Sequence, residues 1–256
     1  MSTEQSIHRV MHEIKRRRLE VLRVSEVTPL MRRITLRGPE LEGFISLGTD
    51  DHVKLFFAST PEEQAALDNW VPMSESEGPR PAMRDYTPRR YDAQTGELDI
   101  DFVLHGEGPA ATWAAQAQPG QFLHIAGPRG SMVVPDMFDS YLLIGDETAL
   151  PAIARRLESL PANRAALVVV EVASSQEQQV FDSVAQVDVI WIVRGEQDLQ
   201  SVVRRLEMPE GKLYAWVATE SGLSRKLRRI LLDEFGLNEE FVKAAGYWRQ
   251  ESSVEA

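Results

Sequence analysis

Four runs of almost unbroken apolar residues, at positions 141–144, 166–172, 187–193 and 213–218, constrain what the second half of this chain can fold into. A strand that is apolar on successive residues needs apolar cover on both faces, which marks a parallel sheet sandwiched between helices. The segments between and after the runs, at 152–160, 176–183, 199–206 and 223–235, have helix-forming composition and suit right-handed crossovers. The expectation is an open α/β sheet. Ligands of such sheets bind beyond the carboxyl ends of the strands, which singles out Gly145 to Thr148, Ala173 to Ser175, Arg194 and Thr219 to Gly222.

The first half is patterned differently. Positions 19–24 and 32–36 flank Thr28-Pro29 and read as strands, with 52–57 as a third. Residues 98–105 alternate apolar and polar, as in a strand buried on one face. Positions 121–126 read as the last strand of a barrel, and Val134-Pro135-Asp136 marks a boundary near residue 137. Two domains follow, 1–137 and 138–256. Residues 1–16 read as a tail or short helix. Residues 58–83, acidic and rich in Pro, Ser and Gly with Trp70 as the one large anchor, read as a long loop over the barrel.

Composition narrows the function. With 28 basic against 39 acidic residues the net charge is -11, so a phosphate-neutralising face for nucleic acid is not expected. There is no cysteine, which excludes disulfides, thiolate iron–sulfur clusters and cysteine zinc sites and agrees with a cytoplasmic location. No run approaches the ~18 apolar residues of a membrane span. Lys15-Arg16-Arg17-Arg18 lacks the apolar core of an export signal and reads as a solvated face or a contact for an acidic partner. His8 and His12, four apart, have no third ligand, so no metal site is expected. The scattered acids lack a neighbouring base, which disfavours hydrolysis.

Between Arg84 and Ser131 lies the chemistry. In Arg84-Asp85-Tyr86-Thr87-Pro88, an extended backbone sets Arg84 and Tyr86 on one face, and Pro88 keeps Thr87 extended. A cation, a ring and a hydroxyl then share a surface suited to a flat anionic ligand. After the strand at 98–105, Gly108-Pro109 opens a helix whose first amides, at Ala110 to Thr112, point outward from the positive end of the dipole, where phosphates bind. The three-glycine dinucleotide fingerprint is absent, since neither Gly127-Pro128-Arg129-Gly130 nor Gly145-Asp146-Glu147-Thr148 has its spacing.

These motifs, together with Asp50-Asp51-His52-Val53-Lys54-Leu55-Phe56, Gly127-Pro128-Arg129-Gly130-Ser131 and Gly246-Tyr247-Trp248-Arg249, resemble the siderophore-interacting proteins, flavin-dependent ferric-siderophore reductases of the ferredoxin-reductase superfamily. The resemblance covers most of the chain. It implies an antiparallel flavin-binding β-barrel followed by a parallel-sheet α/β domain of nicotinamide type. Electrons would pass from NADPH or NADH through FAD to a ferric siderophore, with a ferredoxin as another conceivable donor. Tyr86 and Thr87 would stand at the reacting part of the flavin. Arg84, Asp101, Val103, His105, Ala110, Ala111, Thr112 and Trp113 would complete its site, and Tyr247 or Trp248 would cover its other face. Asp146, Glu147, Thr148 and Arg194 would serve the nicotinamide cofactor. Lys54 and Arg129 would attract an anionic chelate.

Glu171, near the end of the second parallel strand, favours a ribose hydroxyl and thus NADH, whereas Arg194, Arg225 and Lys226 are placed for a 2′-phosphate. The resemblance tips this toward NADPH. Two positions depart from the family: Ala111 stands where a serine is common, and Thr219-Glu220 replaces Gly-Glu, where a β-branched residue resists positive φ. The competing readings are a general flavin reductase or electron-transfer flavoprotein, and a non-catalytic siderophore-binding module that has lost nicotinamide use.

Overall fold

A computed structural model describes residues 6–69 and 80–250. The chain divides into two compact units, one spanning Ile7–Val134 and the other running from Pro135 onward.

The first unit contains β1 (His8–Met11), β2 (Arg16–Thr28), β3 (Met31–Arg37), β4 (Val53–Phe57), α1 (Pro61–Asp68), β5 (Ala82–Tyr86), β6 (Pro88–Asp92), β7 (Glu97–Val103), α2 (Pro109–Gln116), β8 (Phe122–Ala126) and β9 (Gly130–Val133). Seven of these strands form one antiparallel sheet in the order β5-β4-β8-β2-β3-β7-β6. β5 and β6 are its two edges, yet only Thr87 separates them in the chain. One residue advances the backbone by less than 4 Å, so the sheet must curl until its edges meet. Leu19, Val21, Ile34, Leu36, Leu55, Leu98, Ile100 and Ile125 fill the interior.

Several expectations need correction here. β7 is buried on both faces, not one: Asp99 and Asp101 are covered because Thr35, Arg33 and Arg90 close over them with hydrogen bonds and ion pairs. Among the described residues of the stretch 1–16, His8–Met11 form a strand and not a tail or helix. β1 pairs antiparallel with β9, and Gly130 permits the approach, because a Cβ there would lie 2.7 Å from the Val10 carbonyl oxygen. The segment expected as a loop carries α1, with Thr60 as N-cap accepting from the Glu63 amide at 3.2 Å and Pro61 opening its first turn. Asp68 of α1 meets His124 Nε2 at 3.0 Å, and His124 is buried against that acid. Trp70 and the rest of 70–79 lie outside the described residues.

The second unit contains β10 (Ser140–Asp146), α3 (Leu150–Ser159), β11 (Ala165–Val172), β12 (Gln186–Val193), α4 (Leu199–Val203), β13 (Leu213–Glu220), α5 (Ser221–Arg229) and β14 (Val242–Trp248), with a π-helical turn Ile230–Glu234 extending α5. All strands are parallel, in the order β12-β11-β10-β13-β14. The chain builds outward from β10 to β12, then returns to place β13 on the other side of β10. That reversal is a switch point, where α/β sheets open a crevice. The helix expected at 176–183 is absent: the connection holds only a 3-10 turn, Ser175–Glu177, and is anchored by Phe181 stacked on Trp191 at 5.8 Å. β14 was not among the strands expected, since Gly246 and Lys243 interrupt its apolar run. Among the described residues no helix is long and apolar enough to cross a membrane.

Candidate functional site

In the first unit the motifs separated in sequence converge on one chain of rings. Tyr86 of β5 packs on Phe102 of β7 at 4.6 Å, Phe102 on Trp113 of α2 at 5.6 Å, and Trp113 on Phe57 of β4 at 5.8 Å. Desolvation pushes the Tyr86 phenol up to about 12 against the opposing charge of Arg84, so the ring is neutral at physiological pH. Thr87 is buried where the sheet edges meet, and Arg84 is exposed, its Nη1 donating to the Met83 carbonyl at 2.8 Å. At the start of α2, Gly108 supplies no capping side chain, and the Thr112 amide donates to the Gly108 carbonyl at 2.9 Å. The Ala110 and Ala111 amides are therefore without a side-chain cap, beside small side chains. Asp101 turns its carboxylate to Arg33, at 2.7 and 2.8 Å. Val103 ends β7 half-buried, and His105 lies exposed beyond it.

Lys54 stands on β4 opposite Asp85 on β5, and its Nζ donates to Asp85 Oδ1 at 2.8 Å. Arg129 is exposed between β8 and β9. A buried clamp joins the segments carrying these two cations: Asp51 Oδ2 accepts from Ser131 Oγ at 2.5 Å, Ser46 Oγ at 3.0 Å and the Gly48 amide at 3.1 Å. Ser131 Oγ in turn lies 2.7 Å from His12 Nε2. Because the hydroxyl proton goes to Asp51, this is a structural link and not a nucleophile facing its base. The structural role of Asp51 escaped sequence reading because its partner is 80 residues away.

In the second unit the charged residues gather at the carboxyl ends of the strands. Asp146 is buried at the end of β10, where it accepts from the Thr148 amide at 2.9 Å, Thr148 Oγ1 at 2.5 Å and Trp248 Nε1 at 2.8 Å. Desolvation raises its pKa despite these donors. Gly145 admits the turn that follows, since a Cβ there would collide with Ala149. Arg194 bridges two acids, reaching Glu147 at 2.6 Å and Glu171 at 3.0 Å. Tyr247 meets Trp216 edge-on at 6.0 Å. Thr219 answers the glycine question: it is the buried penultimate residue of β13, in extended backbone where a β-branched side chain is favoured, with its amide donating to Ser224 Oγ at 3.1 Å. Glu220 caps α5 by accepting from the Gly222 and Leu223 amides at 2.6 and 2.9 Å.

Residues 20–132 match the model of the siderophore-interacting FAD-binding domain, and residues 138–251 match that of the siderophore-interacting protein. The chain belongs to the siderophore-interacting protein family. Within it, the chain is 38% identical over 251 residues to the NADPH-dependent ferric-chelate reductase of Escherichia coli (strain K12), covering 94% of this chain and 95% of that protein. It is 33% identical over 252 residues to the ferric vibriobactin reductase ViuB of Vibrio cholerae, covering 94% and 92%. The solved siderophore utilization protein from T. fusca superposes with a TM-score of 0.85 at 36% identity, covering 97% of this chain and 98% of that one. The fold is the ferredoxin-reductase-like combination of an antiparallel barrel and a parallel α/β sheet.

Proposed function

We propose that this protein is an FAD-dependent ferric-siderophore reductase that draws electrons from NADPH and releases iron as Fe(II). The observation that carries the reading is the ring chain Tyr86–Phe102–Trp113–Phe57, which gathers the aromatic, hydroxyl, cation and helix start of a flavin site onto one part of the barrel. The names of the relatives supply the reaction.

The residues present fit FAD. Tyr86 offers a neutral ring face, Thr87 a hydroxyl beside it, and Arg84 an exposed guanidinium for a phosphate. The uncapped amides of Ala110 and Ala111 supply donors for the same charge, so the missing serine at 111 removes one side-chain hydrogen bond and not the anion site. Thr112, Trp113, Asp101, Val103 and His105 border this region. When bound, the flavin supplies the conversion of a two-electron donor into single-electron transfers. Lys54 and Arg129 draw in the anionic chelate. Oxygen donors grip the hard ferric ion and hold the larger, less charged ferrous ion less well, so reduction loosens the iron.

The nicotinamide cofactor is assigned to the crevice at the ends of β10 and β13, bordered by Asp146, Glu147, Thr148, Tyr247 and Trp248. Arg194 is the 2′-phosphate candidate and must exchange its acids for that phosphate. The cytoplasm, where NADPH is made, is the assigned location.

The test is spectroscopic. The purified protein should be yellow or take up FAD, bleach under anaerobic NADPH, and recover its colour on adding a ferric siderophore while a ferrous indicator develops. Protein that neither carries nor binds FAD overturns the reading. Bleaching by reduced ferredoxin but not by NADPH or NADH reassigns the donor.

A further inference from the structure

The basic run at 15–18 is not one solvated face. Arg17 lies on β2 with 3% of its surface exposed. Its hydrogen bonds go to carbonyls, Nε donating to that of Glu40 at 2.8 Å and Nη1 to those of Gly127 at 2.9 Å and Lys15 at 3.2 Å, and its guanidinium lies over the Phe44 ring at 5.2 Å. A guanidinium has five N–H donors, and among the described residues the pair on Nη2 meets no acceptor. No carboxylate forms an ion pair with it among the described residues; burial lowers its pKa, and Tyr91 and then Glu40 oppose the fall. A largely buried cation whose partners are carbonyls and a ring, with no paired anion among the described residues, gains from an arriving anion.

Arg17 also forms part of the wall of a cavity of about 220 Å³. Lys15 and His12 add basic groups to the lining, and Met11 and Ile45 add apolar surface. Met11 is 56% exposed and Ile45 48%, so both gain by being covered. The single acid in the lining, Glu13, is drawn 3.8 Å from Lys15. The volume falls below the ~300 Å³ of ordinary small-molecule pockets, which suits a small ligand better than a nucleotide.

We infer that this cavity binds a small organic carboxylate with an apolar body, the carboxylate meeting Arg17 and Lys15 and the body lying on Met11 and Ile45. Inorganic oxyanions satisfy the charge but leave the apolar wall uncovered. The site uses none of the residues assigned above to flavin, nicotinamide or chelate.

The test is calorimetric titration of the full-length protein, with the flavin it carries, using benzoate as probe and benzyl alcohol and inorganic phosphate as comparisons. Wild type should bind benzoate, bind phosphate more weakly and give no heat with benzyl alcohol. Arg17→Gln should weaken benzoate at least tenfold. Because that variant also gives up carbonyl contacts, Ile45→Glu is the second probe: it leaves Arg17 in place, sits at an exposed position and sets a like charge at the mouth, and it should also weaken benzoate at least tenfold. No benzoate binding by wild type, undiminished binding by Ile45→Glu, or phosphate binding as tight as benzoate would each overturn the inference. Heat of binding is independent of turnover, so failure here is distinct from failure of the reductase reading.

Discussion

In the barrel, Asp99 and Asp101 stand in the middle of a central strand with 3% and 5% of their surface exposed. In the parallel sheet β10 is buried along its whole length, and Asp146, Glu147, Glu171 and Arg194 collect at or beyond the carboxyl ends of the strands. The difference lies in what each sheet has for cover. Arginines from β3 and β6 reach across the barrel strand and satisfy its acids internally, so these charges hold the fold. The central strand of the parallel sheet is covered by apolar faces, which leave room for charge only at its end, while the edge strand β12 carries Asp188 exposed. The charged groups at the strand ends satisfy one another at the face where α/β sheets take ligands, and a ligand can displace them.

The largest expected effect tests the barrel side. Arg33→Ala leaves Asp101 without its two-pronged partner and should destabilise the barrel by about 3 kcal/mol or more, read by urea unfolding followed with barrel-specific probes. Arg194→Ala should cost less, about 1 to 2 kcal/mol, since Arg194 is 47% exposed although its partner Glu147 is buried, and should also raise the KM for NADPH about tenfold. Equal destabilisation by both substitutions would break the comparison.

A smaller effect sharpens the sheet side. Trp248→Phe removes one donor from buried Asp146 and should cost about 1 to 2 kcal/mol. The pKa of Asp146 is raised in the fold, so the unfolded chain ionises first as pH rises. Its contribution is therefore fully present below the ordinary aspartate range and is lost as pH climbs from about 4 through the folded-state value. Relative to Asp146→Asn, wild type should lose stability over that rise; a difference flat in pH would place the carboxylate in water.

The smallest structural effect belongs to Lys54. Its pair with Asp85 is half exposed on both sides, so Lys54→Ala should change stability by no more than about 0.5 kcal/mol. Turnover of an anionic chelate should nevertheless fall while flavin content and reduction by NADPH stay intact, and added salt should erase the difference, because screening acts within about 10 Å at 0.1 M. Equal loss with neutral and anionic chelates would remove charge steering from the account.

What the sequence determined by itself is local. Near-continuous apolar runs read as strands of a parallel sheet, and four of its five strands were legible that way, although edge strand β12 is covered less fully than its run implied and β14 was not legible. The order Arg84-Asp85-Tyr86-Thr87-Pro88, Gly108-Pro109 and Gly127-Pro128-Arg129-Gly130-Ser131 likewise carried the resemblance to the family to which the chain belongs. Tertiary structure decided what depends on distant partners. Thr87 joins the two edges of a seven-stranded sheet; β1 finds β9; Asp146 meets Trp248 across 102 positions; Lys54 is paired with Asp85 and Arg17 is buried among carbonyls. Periodicity reports which face of an element is apolar and says nothing of what will cover it. The fate of a charged side chain is set by that cover, through desolvation and the few groups brought within hydrogen-bond reach.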